Sequence, residues 1–265
     1  MEKRYVEGVD FAYIVGNSEN AQHEFCDYKY EIIYVMSGEG SFFVEGAEVQ
    51  FARDSFFIVK PFTYYRINAK DEPSLIRYSI TFSNDDISES LLGFADSLFS
   101  HNASCAIIKD FNCDELDRIL LGIRFADKLS GEQRKQYFSS LLSQLLILLS
   151  SAETKFSCSN TNEMMSELTD YIIDNLENGN IVSLDEIAKT FFVSKFYLCR
   201  VFKKHKGISI HSYINQKRIM MAKQYIDSGI SAKAASELVG YGDYSAFYRA
   251  YVKVVGQSPK SQKGE

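Results

Sequence analysis

The chain has 265 residues, 46% hydrophobic and 24% charged, enough for two domains that each bury a core. Its longest apolar run, LLSQLLILL at 141–149, is about half the length needed to cross a bilayer, and its serine and glutamine favour a buried helix. The first residues, MEKRYVEGVDF, lack the apolar stretch of a secretory signal, so export is not expected. Five cysteines at 26, 105, 113, 158 and 199 form no Cys-x-x-Cys pair; they read as thiols of a reducing cytoplasm, not a disulfide or zinc framework. The net charge of −6 hides an asymmetry. Residues 163–265 hold 14 Lys and Arg against 11 Asp and Glu, the remainder 15 against 24. A mildly basic module on an acidic one suits a nucleic-acid reader joined to something else.

The first eighty or so residues alternate apolar and polar positions in short runs. Tyr30–Met36 stops at Ser37-Gly38-Glu39-Gly40, Ser41–Glu45 at Gly46-Ala47, and Val49–Ala52 at Arg53-Asp54. Ser55–Lys60 stops at Pro61, and Leu75–Phe82 closes the set. Short strands with regular turn signals predict a sandwich or small barrel. From about Ile87 the pattern turns helical, with Asp114–Leu129 and Glu132–Ser150 carrying apolar residues at i, i+3, i+4 and i+7. Leu141, Leu142, Leu145, Leu146, Leu148 and Leu149 exceed one packing stripe, which predicts a homodimer through this helix and its partner. The polar stretch Ser150–Asn162 reads as a linker.

The remainder is helical and contains an internal repeat. Leu198, Arg200, Phe202, Gly207 and Ser209 recur 49 residues later as Phe247, Arg249, Tyr251, Gly256 and Ser258. Before the turns the offset is 48, pairing Phe191 with Val239 and Val193 with Tyr241, so one residue is added in the second turn. In the first copy Ser183 caps a helix with Glu186 completing a capping box, and Leu184, Ile187, Ala188 and Phe191 face inward. Ser194 caps the next helix, Lys195–His205, where Leu198, Val201 and Phe202 face inward and Gly207 ends it. Its outward side offers Lys195, Phe196, Cys199, Arg200, Lys203 and Lys204. Long donors near the start of such a helix suit base edges, and lysines further along suit phosphates. In the second copy Asp243 is the cap, and Tyr244, Ser245, Tyr248 and Arg249 face outward over Phe247 and Tyr251. Between the copies Ser209–Ile226 reads as one long connector helix with Tyr213, Ile214, Ile219, Ala222 and Ile226 at helical spacing. A rigid connector would hold two reading helices about one DNA turn, roughly 34 Å, apart.

The stretches SLDEIAKTF, VSKFYLCRVFKKHKGIS, YINQKRIMMAKQYI and VGYGDYSAFYRAYVKVVGQSP, running in order from about Met165 to Ser261, resemble the AraC/XylS family of transcription regulators. The resemblance implies double-stranded DNA as partner, with base or phosphate contacts from Lys195, Phe196, Cys199, Arg200, Tyr244, Ser245, Tyr248 and Arg249. Three residues depart from the family pattern. Phe192 stands where glycine is usual, and it is expected to pack against the connector helix rather than sit exposed in a left-handed conformation. Ser236 replaces a small alanine and Val252 a lysine, so the second unit is expected to hold DNA less firmly.

EIIYVMSGEGSFFVEG, DSFFIVKPFTYYRI and IRYSITF also resemble the cupin-type sensor domain common in this family. Metal-binding members carry histidines before the first glutamate and after the mid-domain proline; here His23 is isolated, Glu31 stands in a strand and Tyr64-Tyr65 occupy the second place. No metal site, cofactor or catalytic residue is therefore expected. A small-molecule effector, a sugar or small carboxylated metabolite, would be lined by Tyr28, Tyr30, Tyr34, Phe43, Phe57, Tyr64, Tyr65, Arg66 and Arg77, with Tyr78 nearby. The expected organisation is α+β: a cupin-like β-barrel at 1–86, a helical dimerisation segment at 87–155, a linker at 156–163 and an all-α domain at 164–265. That last domain comprises two helix-turn-helix units on a connector helix. The function expected is a cytoplasmic, non-enzymatic, homodimeric transcription regulator with RNA polymerase as a candidate partner and no membrane contact. The alternative is a metal-independent cupin enzyme fused to a DNA-binding module.

Overall fold

Two compact units divide the chain, Met1–Ser159 and Asn160–Glu265. The structure, a computed structural model, describes residues 3–4, 10–15 and 27–259, except 45, 72–73, 84–85, 88–90, 92, 95–96, 100–102, 112, 127, 153–154, 160–162 and 181. His23, read above as isolated, lies outside the described residues.

The first unit contains strands β1 (Lys3–Arg4), β2 (Asp10–Val15), β3 (Tyr30–Ser37), β4 (Gly40–Val44), β5 (Ala47–Phe51), β6 (Ser55–Val59), β7 (Tyr65–Ala69), β8 (Ile76–Phe82), β9 (Ala103–Ile108) and β10 (Lys155–Ser159). Helices α1 (Asp114–Ala126) and α2 (Gly131–Ser150) lie between β9 and β10 in the chain. A seven-stranded antiparallel sheet runs β1-β2-β8-β3-β6-β9-β10, and a three-stranded one runs β5-β4-β7. Strand side chains alternate between faces, and here both faces of the large sheet are covered. Ile33, Val35, Phe57, Val59, Cys105 and Ile107 meet Phe42, Val44, Phe51, Tyr65 and Ile67 of the small sheet. Ile32, Tyr34, Phe56, Ile58, Tyr78, Ile80 and Ile108 meet α1 and α2 through Leu116, Ile119, Ile123, Phe138, Leu142, Leu145 and Leu149. Every residue of β6 is consequently buried, which is why SFFIV is a nearly unbroken apolar run. Gly122 lets α1 approach α2: a Cβ there would lie 2.9 Å from Leu141 Cδ2 and 3.2 Å from the Tyr137 hydroxyl.

The expected closed barrel is instead two sheets face to face, with no strand pairing between them among the described residues. The segment read as wholly helical from 87 to 155 contains β9, an interior strand between β6 and β10 that is buried at almost every position. Burial on both faces removed the alternation that marks a strand. The expected linker supplies β10, paired with β9 from Lys155–Ile108 to Ser159–Ala103. Its sequence KFSCS does alternate, but its serines disguised it as a polar loop.

The leucines of α2 also have a different explanation. Leu141, Leu142, Leu145, Leu146 and Leu149 are buried within their own unit, because the helix packs both on the sheet and on α1. A glutamate at Leu145 would therefore unfold this core rather than test association. Of the large apolar side chains left exposed, Leu121 (62%) and Phe125 (48%) lie one turn apart on α1, and Ile147 (47%) lies on α2.

The second unit is helical: α3 (Glu163–Glu177), α4 (Leu184–Thr190), α5 (Lys195–Lys206), α6 (Ile210–Asp227), α7 (Ala232–Leu238) and α8 (Tyr244–Val255). Each start of α4 to α8 is fixed by a side-chain cap. Ser183 and Glu186 form the reciprocal capping box, and Ser194, Ser209 and Ser231 accept from Tyr197 N, Ser212 N and Ala234 N. Asp243 accepts from both Ser245 N and Ala246 N. Gly207 and Gly256 end α5 and α8 in left-handed conformations, φ 79° and 78°. Inside, Leu198, Phe202, Tyr213, Ile219, Phe247 and Tyr251 are buried. Lys217, a cation that helical spacing does not mark as internal, is only 2% exposed, and its ammonium lies 5.0 Å from the centre of the Tyr213 ring.

The two turns are copies of one another. Phe191 N, Phe192 N and Val193 N donate to Ile187, Lys189 and Ala188 O; Val239 N, Gly240 N and Tyr241 N donate to Ala235, Glu237 and Ser236 O. That bonding places the middle residue in the left-handed region, φ 80° at Gly240 and 53° at Phe192. The expectation that Phe192 packs against the connector is overturned: it is left-handed and 95% exposed. The turn's hydrogen bonds fix the backbone, and the ring is carried outward. Replacing Phe192 with glycine should stabilise the protein by up to about 1 kcal/mol, by relieving left-handed strain against the added freedom of the unfolded chain. Urea melts of the two proteins check this; a loss of roughly 2–4 kcal/mol would mean that the ring is packed after all.

Candidate nucleic-acid interface

Helix α5 presents a basic and aromatic outer face. Lys195, Phe196, Arg200, Lys203 and Lys204 are exposed and Cys199 is half-buried. They recur at the three- and four-residue spacing that puts side chains on one side of a helix. Phe196 is 76% exposed, and the Arg200 guanidinium lies 5.8 Å from its ring centre. Lys195 forms an ion pair with Asp185 of α4. Both partners are exposed, so phosphate can compete for the lysine at little loss. The last turn gathers Lys203, Lys204, His205 and Lys206 at the negative end of the helix dipole, but Lys206 is buried and its ammonium lies 5.8 Å from the Tyr213 ring centre. Tyr197, also partly exposed, escaped sequence reasoning because it lies a residue away from the outward spacing.

The equivalent face of α8 is less basic. Tyr244, Ser245, Tyr248 and Arg249 are exposed, with the two tyrosine rings 6.5 Å apart. Ser245 stands where Phe196 does, Arg249 where Arg200 does, and Val252 where Lys203 does. Lys253, the exposed counterpart of Lys204, was missed, although the same 49-residue offset would have found it. Tyr241 of the second turn donates a 2.5 Å hydrogen bond to Asn215 Oδ1, pinning the turn to the connector α6. Burial holds the Tyr241 phenol above its ordinary pKa of 10 despite the nearby Arg218 cation, so it stays a donor at neutral pH.

In the first unit the nine residues expected to line a ligand pocket do not converge. Tyr30 stacks on Phe82 at 5.2 Å, and Tyr34 stacks on Phe56 at 4.5 Å, both on the helix-covered face of the large sheet. The Tyr34 hydroxyl donates to Asp54 at 2.7 Å, and burial together with that carboxylate raises its pKa. Phe43 and Arg66 are cross-strand partners on the face opposite the inward-facing Phe42 and Val44, and the guanidinium lies 5.4 Å from the Phe43 ring centre. Tyr28 is half-buried under the Lys29 ammonium, and Tyr64 is buried. Phe57 and Tyr65 do meet between the sheets, and there lies a buried polar group that sequence reasoning assembled only in part. Glu31 accepts from the Tyr65 hydroxyl at 2.6 Å and from the Ser79 hydroxyl at 2.5 Å, with the buried Arg77 guanidinium close enough to act on both Glu31 and Tyr65. Burial raises the Glu31 pKa, the two hydrogen bonds and Arg77 oppose that, and Asp27 adds to it. Alternation in β3 and β8 would have put Glu31, Arg77 and Ser79 on one face. Glu31 was weighed only as a metal ligand. Among the described residues no group of three or more His, Cys, Asp or Glu could hold a metal ion. No helix there is long and apolar enough to cross a membrane.

A family model described as a helix-turn-helix domain matches residues 187–263. The chain is 28% identical over 131 residues to the Msm operon regulatory protein of Streptococcus mutans, a match covering 47% of each chain. It is 24% identical over 241 residues to the uncharacterized HTH-type transcriptional regulator YfiF of Bacillus subtilis, covering 87% of this chain and 75% of that one. With the probable transcriptional regulator LumQ of Photobacterium leiognathi it shares 26% identity over 211 residues, covering 78% and 81%. Thus the chain spans about half the length of the first of these relatives and more of the other two. Two capped helix-turn-helix frames in tandem thus lie in a helix-turn-helix domain of the AraC type, a region shared with proteins named as transcriptional regulators.

Proposed function

We propose that the chain binds a specific double-stranded operator by laying α5 and α8 in two adjacent major-groove segments, and that its first unit senses a small molecule. The observation that carries the DNA reading is the pair of matching turns: identical backbone bonds orient α5 and α8 alike, each with an arginine six residues past its cap. In vitro selection of bound duplexes by the intact protein, followed by gel shifts against random competitor, tests it. Enrichment of a site with two sequence elements about one helical turn apart is expected. Binding that random DNA competes away equally would overturn the sequence-specific reading.

The first unit we read as an opened cupin-like sensor, its two sheets enclosing Phe57, Tyr65 and Arg77 beside Glu31. Aromatic faces with a buried cation and carboxylate suit a polar metabolite such as a sugar or small carboxylate.

Association we place on α1 rather than on the leucines of α2. Leu121 and Phe125 lie on one side of α1 and are exposed, an apolar pair that a second copy would cover. The protein is expected to sediment as a dimer at tens of micromolar, and the double change Leu121→Glu and Phe125→Glu to give monomers that keep the native circular dichroism spectrum. Dimers that survive the double change would move the interface elsewhere.

A further inference from the structure

We propose that Cys105 and Cys158 form a thiol–disulfide couple that, on oxidation, clamps β10 to β9 at the end of the first unit. The two cysteines are far apart in sequence, yet they are direct Cα partners in the antiparallel ladder of β9 and β10. Partners in such a ladder lie about 4.5–5.5 Å apart at Cα and occupy the same face of the sheet. A disulfide spans about 4.4–6.8 Å between Cα atoms, so the backbone need not move for the bond to form. On its other side Cys105 partners Val59 of β6, which carries no sulfur. Either cysteine alone would pass for a small apolar side chain. Their register makes them a couple.

A cysteine buried as completely as Cys105 is inert until its surroundings open. The position of β10 supplies that opening. It is the outer strand of the seven-stranded sheet, and a register shift breaks its ladder with β9 immediately after Cys158. An edge strand that ends in a bulge is held by few backbone bonds and opens before the strands inside it. Parting of β10 from β9 uncovers the Cys105 thiol to a peroxide, the class of oxidant that closes the couple. One sulfur, as thiolate, attacks a peroxide oxygen; the O–O bond breaks, water leaves and a sulfenic acid forms. The second thiol attacks that sulfur, the S–O bond breaks, and a second water leaves as the S–S bond is made. Two thiols have then lost two protons and two electrons, and hydrogen peroxide has become two waters. A reducing compartment returns the couple to two thiols, as it does for redox-sensing pairs. Because β10 ends three residues before α3, the clamp acts on the segment that leads from the first unit into the second.

The test treats the intact protein with hydrogen peroxide, blocks the remaining thiols and digests with trypsin without reductant. The five cysteines fall on five different tryptic peptides, Cys105 in residues 78–109 and Cys158 in residues 156–189. The expected product links those two peptides and is cleaved by a dithiol. In a mixture of unlabelled and isotope-labelled protein it should join peptides of one label only. Amide hydrogen exchange across β10 should slow at least about thirtyfold on oxidation, the restraint that a disulfide places on opening of the loop it closes. In Cys158→Ser the exchange should not respond to peroxide. If that variant folds poorly, the peptide map and exchange of the wild type decide by themselves. Survival of both thiols in excess peroxide, a main product linking other cysteines, or links between chains overturns the proposal. Unchanged exchange in β10 once the bond has formed overturns it equally.

Discussion

Replacing Glu31 with alanine is expected to destabilise the first unit by about 3–5 kcal/mol, the range for removing one partner from a buried charged network. The change would remove the carboxylate oxygens that accept from the hydroxyls of Tyr65 and Ser79, and the negative charge that acts on the buried Arg77. Glu31→Gln keeps an acceptor oxygen and should be milder. It should also change the response to pH. Burial holds the Glu31 pKa above the ordinary glutamate value of 4.5, so between that value and the raised one the native state carries a proton that the unfolded chain has released. Stability contributed here is present at low pH and lost as the pH rises through the native pKa. Urea melts stepped upward from pH 4.5 should show the wild type losing ground against Glu31→Gln. Parallel curves for the two proteins would mean that Tyr65, Ser79 and Arg77 hold the carboxylate at its unperturbed value.

The caps and outer faces of the two reading helices in the second unit were legible in the sequence, and the first unit only in outline, for one physical reason. Helix-turn-helix geometry is written in local chemistry: Ser183 with Glu186, Ser194, Asp243, Gly207 and Gly256 each act on backbone groups within four residues. Their spacing could be read without knowing what packs on what. A sheet covered on both faces is a long-range object. β9 lost its alternation because two different layers bury it, while β10 kept its alternation in residues too polar to attract notice. The leucines of α2 signalled surplus apolar surface correctly, but the surplus is taken up by α1 and the sheet of the same chain. Phe192 shows the opposite failure. Local rules rejected an exposed left-handed phenylalanine, yet the bonding shared with Gly240 imposes that conformation whatever the side chain. For the candidate site, the outer faces of α5 and α8 followed directly from helical spacing. The expected ligand set did not hold together, because Tyr30 and Tyr34 of β3 face the helices while Phe57 and Tyr65 face the space between the sheets.

Base reading and phosphate anchoring in α5 should separate cleanly by substitution. Arg200 and Arg249 each lie six residues past a cap, exposed on the outer faces of their helices. A guanidinium there matches the two acceptors of guanine in a way that an ammonium does not. Arg200→Ala should therefore lose about 1–3 kcal/mol on the selected operator and little on random duplex, with relaxed preference at one or two base pairs. Lys203, one turn further on, lies in the basic last turn of α5 and should meet phosphate. Lys203→Ala should weaken operator and random duplex alike and lower the slope of log affinity against log salt by about 1. Arg249→Ala should act like Arg200→Ala but more weakly, because Val252 and Ser245 leave α8 without the lysine and the phenylalanine that α5 places around its arginine. Titrations of the three variants on both duplexes across a range of salt decide the matter. Equal losses on operator and random DNA for Arg200→Ala would make that arginine a backbone anchor, and the reading of sequence by α5 would then fall to Phe196 and its neighbours.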